Sequence, residues 1–314
     1  MAKRDIIIDC DPGQDDAVAL LLALACPDAF DVKAITAVAG NVPLALTQRN
    51  ARLICDLAGR DDVPVHAGCP RPLVRELVTA ANVHGDTGID GIDIREPRLP
   101  LAAAHGVDAI VDTLMAARDD SVTLVPIGPL TNIAMAIVKQ PAILPKIERI
   151  VLMGGAMREG GNHSPSAEFN ILVDPHAAHV VFGCGRPLTA IGLDVTHQAL
   201  CRSDRVERIR ALGSPVADAV HRMLTFFNRF DSAKYGTDGA PLHDPCTLAW
   251  LMAPELFASK RCNVEIEIGS ELTMGHTAVD FWDVSDRAKN VDWVHQVDAD
   301  GFFDLLADRL ARYG

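Results

Sequence analysis

The sequence predicts an α/β protein, an open and mostly parallel sheet with helices on both faces. Three observations carry that prediction. Short, continuously apolar runs alternate with longer segments of helical pattern along the chain. Apolar runs set between amphipathic helices belong to strands buried on both faces, as parallel crossovers produce. Glycine and polar residues cluster directly after several of these runs, where ligands bind in open α/β sheets.

Taken in order, the first strand spans Asp5–Asp9 and carries three consecutive isoleucines, Ile6 to Ile8. A helix over Asp15–Ala25 follows at once, apolar from Ala17 to Leu24. Val32–Val38 reads as the second strand, with Gly40 and Asn41 after it and a helix over Pro43–Ala58. Gly106–Ala117 is a helix leading to the strand Val122–Pro126, which ends at Ile127 and Gly128. A helix over Leu130–Lys139 precedes the strand Arg149–Met153, and Gly154-Gly155 follow it. The alternation repeats with a helix at Pro175–Phe182 and a strand at Leu188–Gly192. A helix over Asp204–Leu212 and a strand over Cys262–Ile268 complete the pattern. No repeat, linker or low-complexity stretch interrupts it, so residues 1–314 read as a single domain with a large core.

Composition narrows the function. A net charge of −13 argues against nucleic acid and anionic membranes as partners and leaves small neutral molecules and cations. The longest apolar stretch, Ala17 to Cys26, is too short to span a bilayer. The run after Met1-Ala2-Lys3-Arg4 is too short for a secretion signal and ends at Asp9. Eight cysteines are scattered without a C-x-x-C pair, as expected of reduced core residues in a cytoplasmic protein.

The most informative stretch is Asp9-Cys10-Asp11-Pro12-Gly13-Gln14-Asp15-Asp16. Asp9 and Asp11 are two apart and share a strand face. Asp15 and Asp16 fall in the first helical turn. Carboxylates this crowded repel unless a cation or hydrogen-bond donors compensate them. Hard divalent cations such as calcium or magnesium take oxygen ligands, whereas zinc suits nitrogen and sulfur. In the plainer alternative Asp11 caps the helix, Pro12 is its first residue, and Asp15 and Asp16 favour its dipole. That accounts for one or two acids and not for four.

The pattern Asp9-x-Asp11-Pro12-Gly13-x-Asp15-Asp16 resembles the N-terminal signature of the inosine-uridine-preferring nucleoside hydrolases. Further matches follow in that family's order: Gly40-Asn41-Val42, His84-Gly85, Pro126 to Asn132, Met153-Gly154-Gly155, Glu168-Phe169-Asn170 and Pro241 to Pro245. The resemblance covers almost the whole chain. It implies a Rossmann-like nucleoside hydrolase fold and calcium-dependent hydrolysis of the N-glycosidic bond of ribonucleosides, in nucleoside salvage. It also implies one calcium ion per subunit and a homodimer or homotetramer.

Carried over residue by residue, the resemblance makes Asp11 a calcium ligand and the general base toward the attacking water. Asp16, the main-chain carbonyl of Ile127 and Asp244 would complete the protein ligands. Asp15, Asn41, Asn162, Glu168 and Asn170 would hold the ribose hydroxyls, with Met153 packed near the sugar. His84 and His243 would line the base pocket, and His243 would donate the proton to the leaving base. Purine-selective relatives tend to grip the base between tryptophans. Here Trp250, Trp282 and Trp293 all come late, and His84 looks like the branch that accepts pyrimidines or both base types. Tyr235 is the one tyrosine near the expected pocket, and the polar segment from Asn82 to Gly91 and that from Phe226 to Asp244, a helix end and a mobile flap, look like site-covering loops.

Single residues have plainer readings. Gly40-Asn41 is a common turn pair, His84 a loop histidine, Glu168 and Asn170 a solvated strand edge, and Asp244 a cap for the segment after Pro245. His163, His221 and His276 carry no assigned role. Asp9-x-Asp11 after an apolar strand also resembles the nucleophile motif of haloacid-dehalogenase-type, magnesium-dependent phosphatases. Those need a downstream lysine and acidic pair that the chain does not place. A third reading is a non-catalytic calcium- or ribosyl-binding protein on the same scaffold, against which the retention of Asp11, Asp16, His243 and Asp244 speaks.

Overall fold

The computed structural model describes residues 3–314, with the backbone alone for residues 231–235. Met1 and Ala2, the head of the stretch read for a secretion signal, lie outside the described residues. Nine strands form one sheet. They are β1 (Arg4–Cys10), β2 (Phe30–Ala37), β3 (Val65–Ala67), β4 (Val122–Pro126) and β5 (Ile147–Met153). β6 (Leu188–Ile191), β7 (Phe257–Ile266), β8 (Thr277–Asp280) and β9 (Val291–Val297) follow. Their order across the sheet is β3-β2-β1-β4-β5-β6-β9-β7-β8. Neighbours run parallel from β3 to β9, and the β9–β7 and β7–β8 pairs are antiparallel.

The helices of the first half are α1 (Gln14–Leu24), α2 (Leu44–Ala58), α3 (Ala81–His84), α4 (Gly106–Ala116) and α5 (Thr131–Lys139). The second half adds α6 (Phe169–Val173), α7 (Pro175–Phe182), α8 (Leu193–Thr196) and α9 (Ser203–Arg210). α10 (Pro215–Tyr235), α11 (Pro245–Met252) and α12 (Ala299–Leu310) complete the chain. Alternation along β1 divides the core. Ile6 and Ile8 pack with Val18 and Leu21 of α1 on one face, and Ile7 packs with Ile110 of α4 and Ile133 of α5 on the other. Every residue of α1 is buried, because α2, α10, α11 and α12 surround it. A helix apolar nearly all round belongs in such a place.

The chain leaves β1 for β2 and β3 on one side and later returns to β4 on the other. The β1–β4 boundary is therefore the topological switch point, outside which ligands bind. The two strand ends lie level there. Asp9 sits opposite Pro126, and the Ile127 N–H donates to the Asp9 carbonyl at 2.8 Å.

The expected strands and helices are present, with ends moved by a few residues. β7 begins at Phe257 rather than Cys262, because its half-exposed first part pairs with β9. β3 is only three residues long, and β9 (VDWVHQV) mixes polar with apolar residues, so neither stands out as an apolar run. The segment from Phe226 begins, as a helix end, with about the last half of α10, a 21-residue helix. Gly13, not Asp11, is the N-cap of α1.

Under the switch point a buried polar network joins β1, β2 and α5. Asp9 Oδ1 accepts from Thr36 Oγ1 at 2.5 Å and from Asn132 Nδ2 at 2.7 Å. Asn132 Nδ2 also donates to the Ala37 carbonyl at 3.2 Å, and its Oδ1 accepts from the Cys69 N–H at 2.7 Å. Burial pushes the Asp9 carboxyl up to about 7, against these donors. Asn132→Ala removes three hydrogen bonds, two of them buried, and leaves Asp9 less satisfied. It should destabilise the protein by about 2–4 kcal/mol, read as a lower midpoint in urea. An unchanged midpoint would show that water takes over these contacts.

Candidate active site

A cleft of about 600 Å³ opens beyond the carboxyl ends of the central strands. Its floor is made by the start of α1 and by Ile127 and Met153, which follow or end β4 and β5. Eleven of the twelve residues expected at the site line it: Asp15, Asp16, Asn41, His84, Ile127, Met153, Asn162, Glu168, Asn170, His243 and Asp244. The twelfth, Asp11, is fully buried directly behind that wall.

The acids are tied together by the turn before α1. Asp16 Oδ1 accepts from the Asp11 N–H at 3.0 Å, and Asp16 Oδ2 from the Gly13 N–H at 2.9 Å. Asn41 Nδ2 adds a contact to Asp16 Oδ2 at 3.2 Å. Asp11 Oδ2 accepts from the Asn41 N–H at 2.7 Å, while Asp11 Oδ1 is buried without a hydrogen-bond partner. Two glycines make room for this carboxylate. A Cβ on Gly40 would stand 2.1 Å from Asp11 Oδ2, and one on Gly128 would stand 2.3 Å from Oδ1.

Carboxylate oxygens of Asp15, Asp16 and Asp244 lie within 4.8 Å of one another. The tight group thus takes in Asp15 where the resemblance puts Asp11, which adjoins it through its own hydrogen bond to Asp16. Burial holds Asp11 and Asp244 well above the usual carboxylate range, and the neighbouring acids push them further. Burial raises Asp16 as well. Among the described residues, no lysine or arginine lines the cleft to balance this charge. An all-oxygen donor set with an unsatisfied buried carboxylate oxygen fits a hard divalent cation and does not fit zinc.

The adjoining wall is held by α6. Glu168 is its N-cap: Oε1 accepts from the Asn170 N–H, and Oε2 from the Ile171 and Gly155 N–H groups, at 2.9–3.2 Å. The solvated-edge alternative fails, since both Glu168 and Asn170 are buried. Burial pushes the Glu168 carboxyl up to about 7 against those donors. Asn170 Nδ2 donates to the carbonyls of Ile127 at 3.1 Å and Met153 at 3.2 Å, which bridges the ends of β4 and β5. Asn162 Oδ1 accepts from the Phe169 N–H at 2.9 Å.

Aromatic rings complete the lining of the cleft. His84 ends α3 and stacks on Phe227 of α10, with ring centroids 5.6 Å apart and planes at 23°. Burial lowers the His84 pKa to about 4, so the ring is neutral. His243 Nδ1 lies 2.8 Å from Thr196 Oγ1, and its ring centroid is 6.1 Å from that of His197. Phe227, Phe230 and His163 line the cleft without having been assigned to it from the sequence. Met223, Phe227 and Phe230 recur at helical spacing, and that stripe was the available signal. The side chain of Tyr235 lies outside the described residues.

Buried carboxylates, polar amides and stacked rings brought into one cleft can hold a polyhydroxylated sugar joined to a flat base. Residues 6–304 match the model of the inosine-uridine preferring nucleoside hydrolases. A pyrimidine-specific ribonucleoside hydrolase, RihA of Photobacterium profundum, is 49% identical over 312 residues, covering 99% of this chain and 100% of its own. Among solved structures, the purine-preferring ribonucleoside hydrolase of Gardnerella vaginalis is 32% identical, with a TM-score of 0.91 over 98% of each chain. A plant nucleoside hydrolase also reaches a TM-score of 0.91, at 30% identity over 98% of this chain and 99% of its own. Matched by the family model over most of its length and by these relatives over nearly all of it, the chain belongs to the inosine-uridine preferring nucleoside hydrolase family.

Proposed function

We propose that this enzyme hydrolyses the N-glycosidic bond of ribonucleosides to free base and ribose, favours pyrimidine bases, and holds one calcium ion per subunit. The observation that carries this reading is the buried Asp15–Asp16–Asp244 group opening into a cleft that the His84–Phe227 stack also lines. The pyrimidine preference follows that of RihA, a pyrimidine-specific hydrolase. It is also supported by the cleft walls, where no tryptophan occurs among the described residues. Trp293 is buried in the sheet core and Trp282 is exposed at the surface. The phosphatase alternative loses its basis, because among the described residues no lysine reaches the cleft. A reducing cytoplasm suits eight free thiols, and a dimer or tetramer follows the family resemblance.

Glycosidic cleavage passes through an oxocarbenium-like state and needs a nucleophilic water, compensation of positive charge on the ribose, and a proton for the leaving base. Asp11, Asp16, Asp244 and the Ile127 carbonyl would hold the cation. When bound, a hard divalent cation balances the carboxylates and lowers the pKa of water at the site. Asp11 takes the proton of the attacking water. Asp15, Asn41, Asn162, Glu168 and Asn170 hold the ribose hydroxyls, and Met153 packs against the sugar. The same carboxylates stabilise the developing charge. His243, placed next to Asp244 and braced by Thr196, donates to the departing base.

Three measurements test this. Ribose release should be faster from uridine and cytidine than from inosine, adenosine and guanosine, and should stop on exhaustive chelation and return with calcium. Stoichiometric zinc, or activity that survives chelation, would refute the site. Asp11→Asn keeps the shape but removes the base, so turnover should fall about 10²–10⁴-fold with the thermal midpoint nearly unchanged. Near-normal turnover excludes Asp11 from that role. His243→Ala should slow uridine far more than p-nitrophenyl riboside, whose leaving group is stable without a proton. An unchanged ratio of the two rates removes His243 as the acid.

A further inference from the structure

Gln14 opens α1 and is fully buried, yet the reaction described above leaves it without a task. Its amide nitrogen donates to two main-chain carbonyls, that of His84 at 3.0 Å and that of Asp90 at 3.1 Å. A main-chain carbonyl can only accept, so both contacts fix which end of the amide is nitrogen. The amide oxygen is therefore the atom 2.7 Å from His84 Nδ1. An amide oxygen can only accept as well, so Nδ1 must carry the hydrogen. In a neutral ring that leaves Nε2 bare.

The ring is also locked in place. Phe227 stacks on it, and a Cβ at Gly13 would stand only 2.4 Å from Nδ1. Turning the ring over would break the Gln14 contact. His84 lines the cleft, and Nε2 is the polar ring atom it has left for a ligand.

We propose that Gln14 is a positioning residue for base recognition. It holds His84 as the Nδ1–H tautomer, so that Nε2 accepts a hydrogen bond from an N–H on the base, such as uracil N3–H or the cytosine amino group. His84 then reads the base and does not supply the proton for its departure, which leaves that task to His243. The inference rests on the cleft being a nucleoside site. It adds that one buried glutamine decides whether the base end asks for a donor or an acceptor.

The test has a spectroscopic and a kinetic arm, both on the metal-loaded enzyme. With ¹⁵N-labelled histidine, assigned by comparison with a His84→Asn variant, His84 should show a protonated Nδ1 and an unprotonated Nε2. Gln14→Met, of similar volume but without donor or acceptor, should shift the ring toward Nε2–H. Wild-type enzyme should prefer uridine to 3-methyluridine, which lacks the N3–H, and the preference should fall roughly 3- to 10-fold in Gln14→Met. The loss should appear as a higher KM for uridine with kcat little changed, which a general loosening of the site would not give. A protonated Nε2 in the wild type, or equal use of uridine and 3-methyluridine, overturns the proposal. So does an unaltered preference in the variant. If Gln14→Met fails to fold, the two wild-type measurements still decide. Failure of the functional reading itself would show as no ribose release from any nucleoside, whereas the tautomer is read without turnover.

Discussion

The Asp16 carboxylate organises the site end of the molecule. One of its oxygens accepts from the Asp11 N–H, and the other accepts from the Gly13 N–H and the Asn41 amide. These contacts close the turn between β1 and α1 and tie it to the segment that follows β2. The direction in which α1 leaves the sheet depends on that closure, and so does the placement of Asp15 one residue earlier. Since α1 is buried on all sides, a change in its entry would disturb the packing of α2, α10, α11 and α12 together. The same side chain therefore joins the fold to the chemistry.

The cost of this arrangement identifies what completes it. An uncompensated charge buried in a protein costs several kcal/mol, while a whole domain is stable by only about 5–15 kcal/mol. Asp11, Asp16 and Asp244 are all buried, and their carboxyls are all pushed upward. Ionised together without a partner they would consume most of that margin. Glu168 shows the other solution. Three backbone N–H groups satisfy it, and it caps a helix at the same time. The acid group near α1 has too few such donors, with Asp11 Oδ1 left over, so a cation is the natural complement.

How much of this could be read from the chain follows from the range over which each feature is encoded. The turn from Asp9 to Asp16 is local: eight adjacent residues hold the acids, the proline and the glycine, and strand and helix patterns flank them. The residues after β2, β4 and β5 were equally legible, because a parallel sheet brings strand ends to one edge whatever the crossovers do. Of the rings, His84 and His243 were legible, and the segment from Phe226 to Asp244 as a whole, but not which of its phenylalanines face the cleft. Phe227 and Phe230 lie on α10, and only packing of that helix against α1 and α3 brings them to the cleft. His163 sits in a segment whose path depends on its hydrogen bonds near Ala167. The Gln14–His84 contact joins residues 70 apart, and nothing in either neighbourhood announces the other. β9 stayed hidden for a similar reason, since its polar positions look unlike a buried strand until β6 and β7 flank it.

This division between edge-encoded and packing-encoded residues bears on specificity. The acids and amides of the cleft come from strand termini, the first turn of α1, the α6 wall and Asp244 before α11, and most of them are tied to the sheet. Most of the cleft's rings come from α3, α10 and the loop before α11. A relative described as purine-preferring superposes on this chain with a TM-score of 0.91, although two thirds of the residues differ. A relative named as pyrimidine-specific matches this chain over nearly its whole length as well, so the scaffold by itself does not set the base. Gln14 sits where the two regimes meet. Its backbone belongs to the rigid turn of α1, while its amide reaches out to His84 and fixes a hydrogen atom on the variable side. A substitution at one buried position can thus change what the base end recognises while leaving every carboxylate in place.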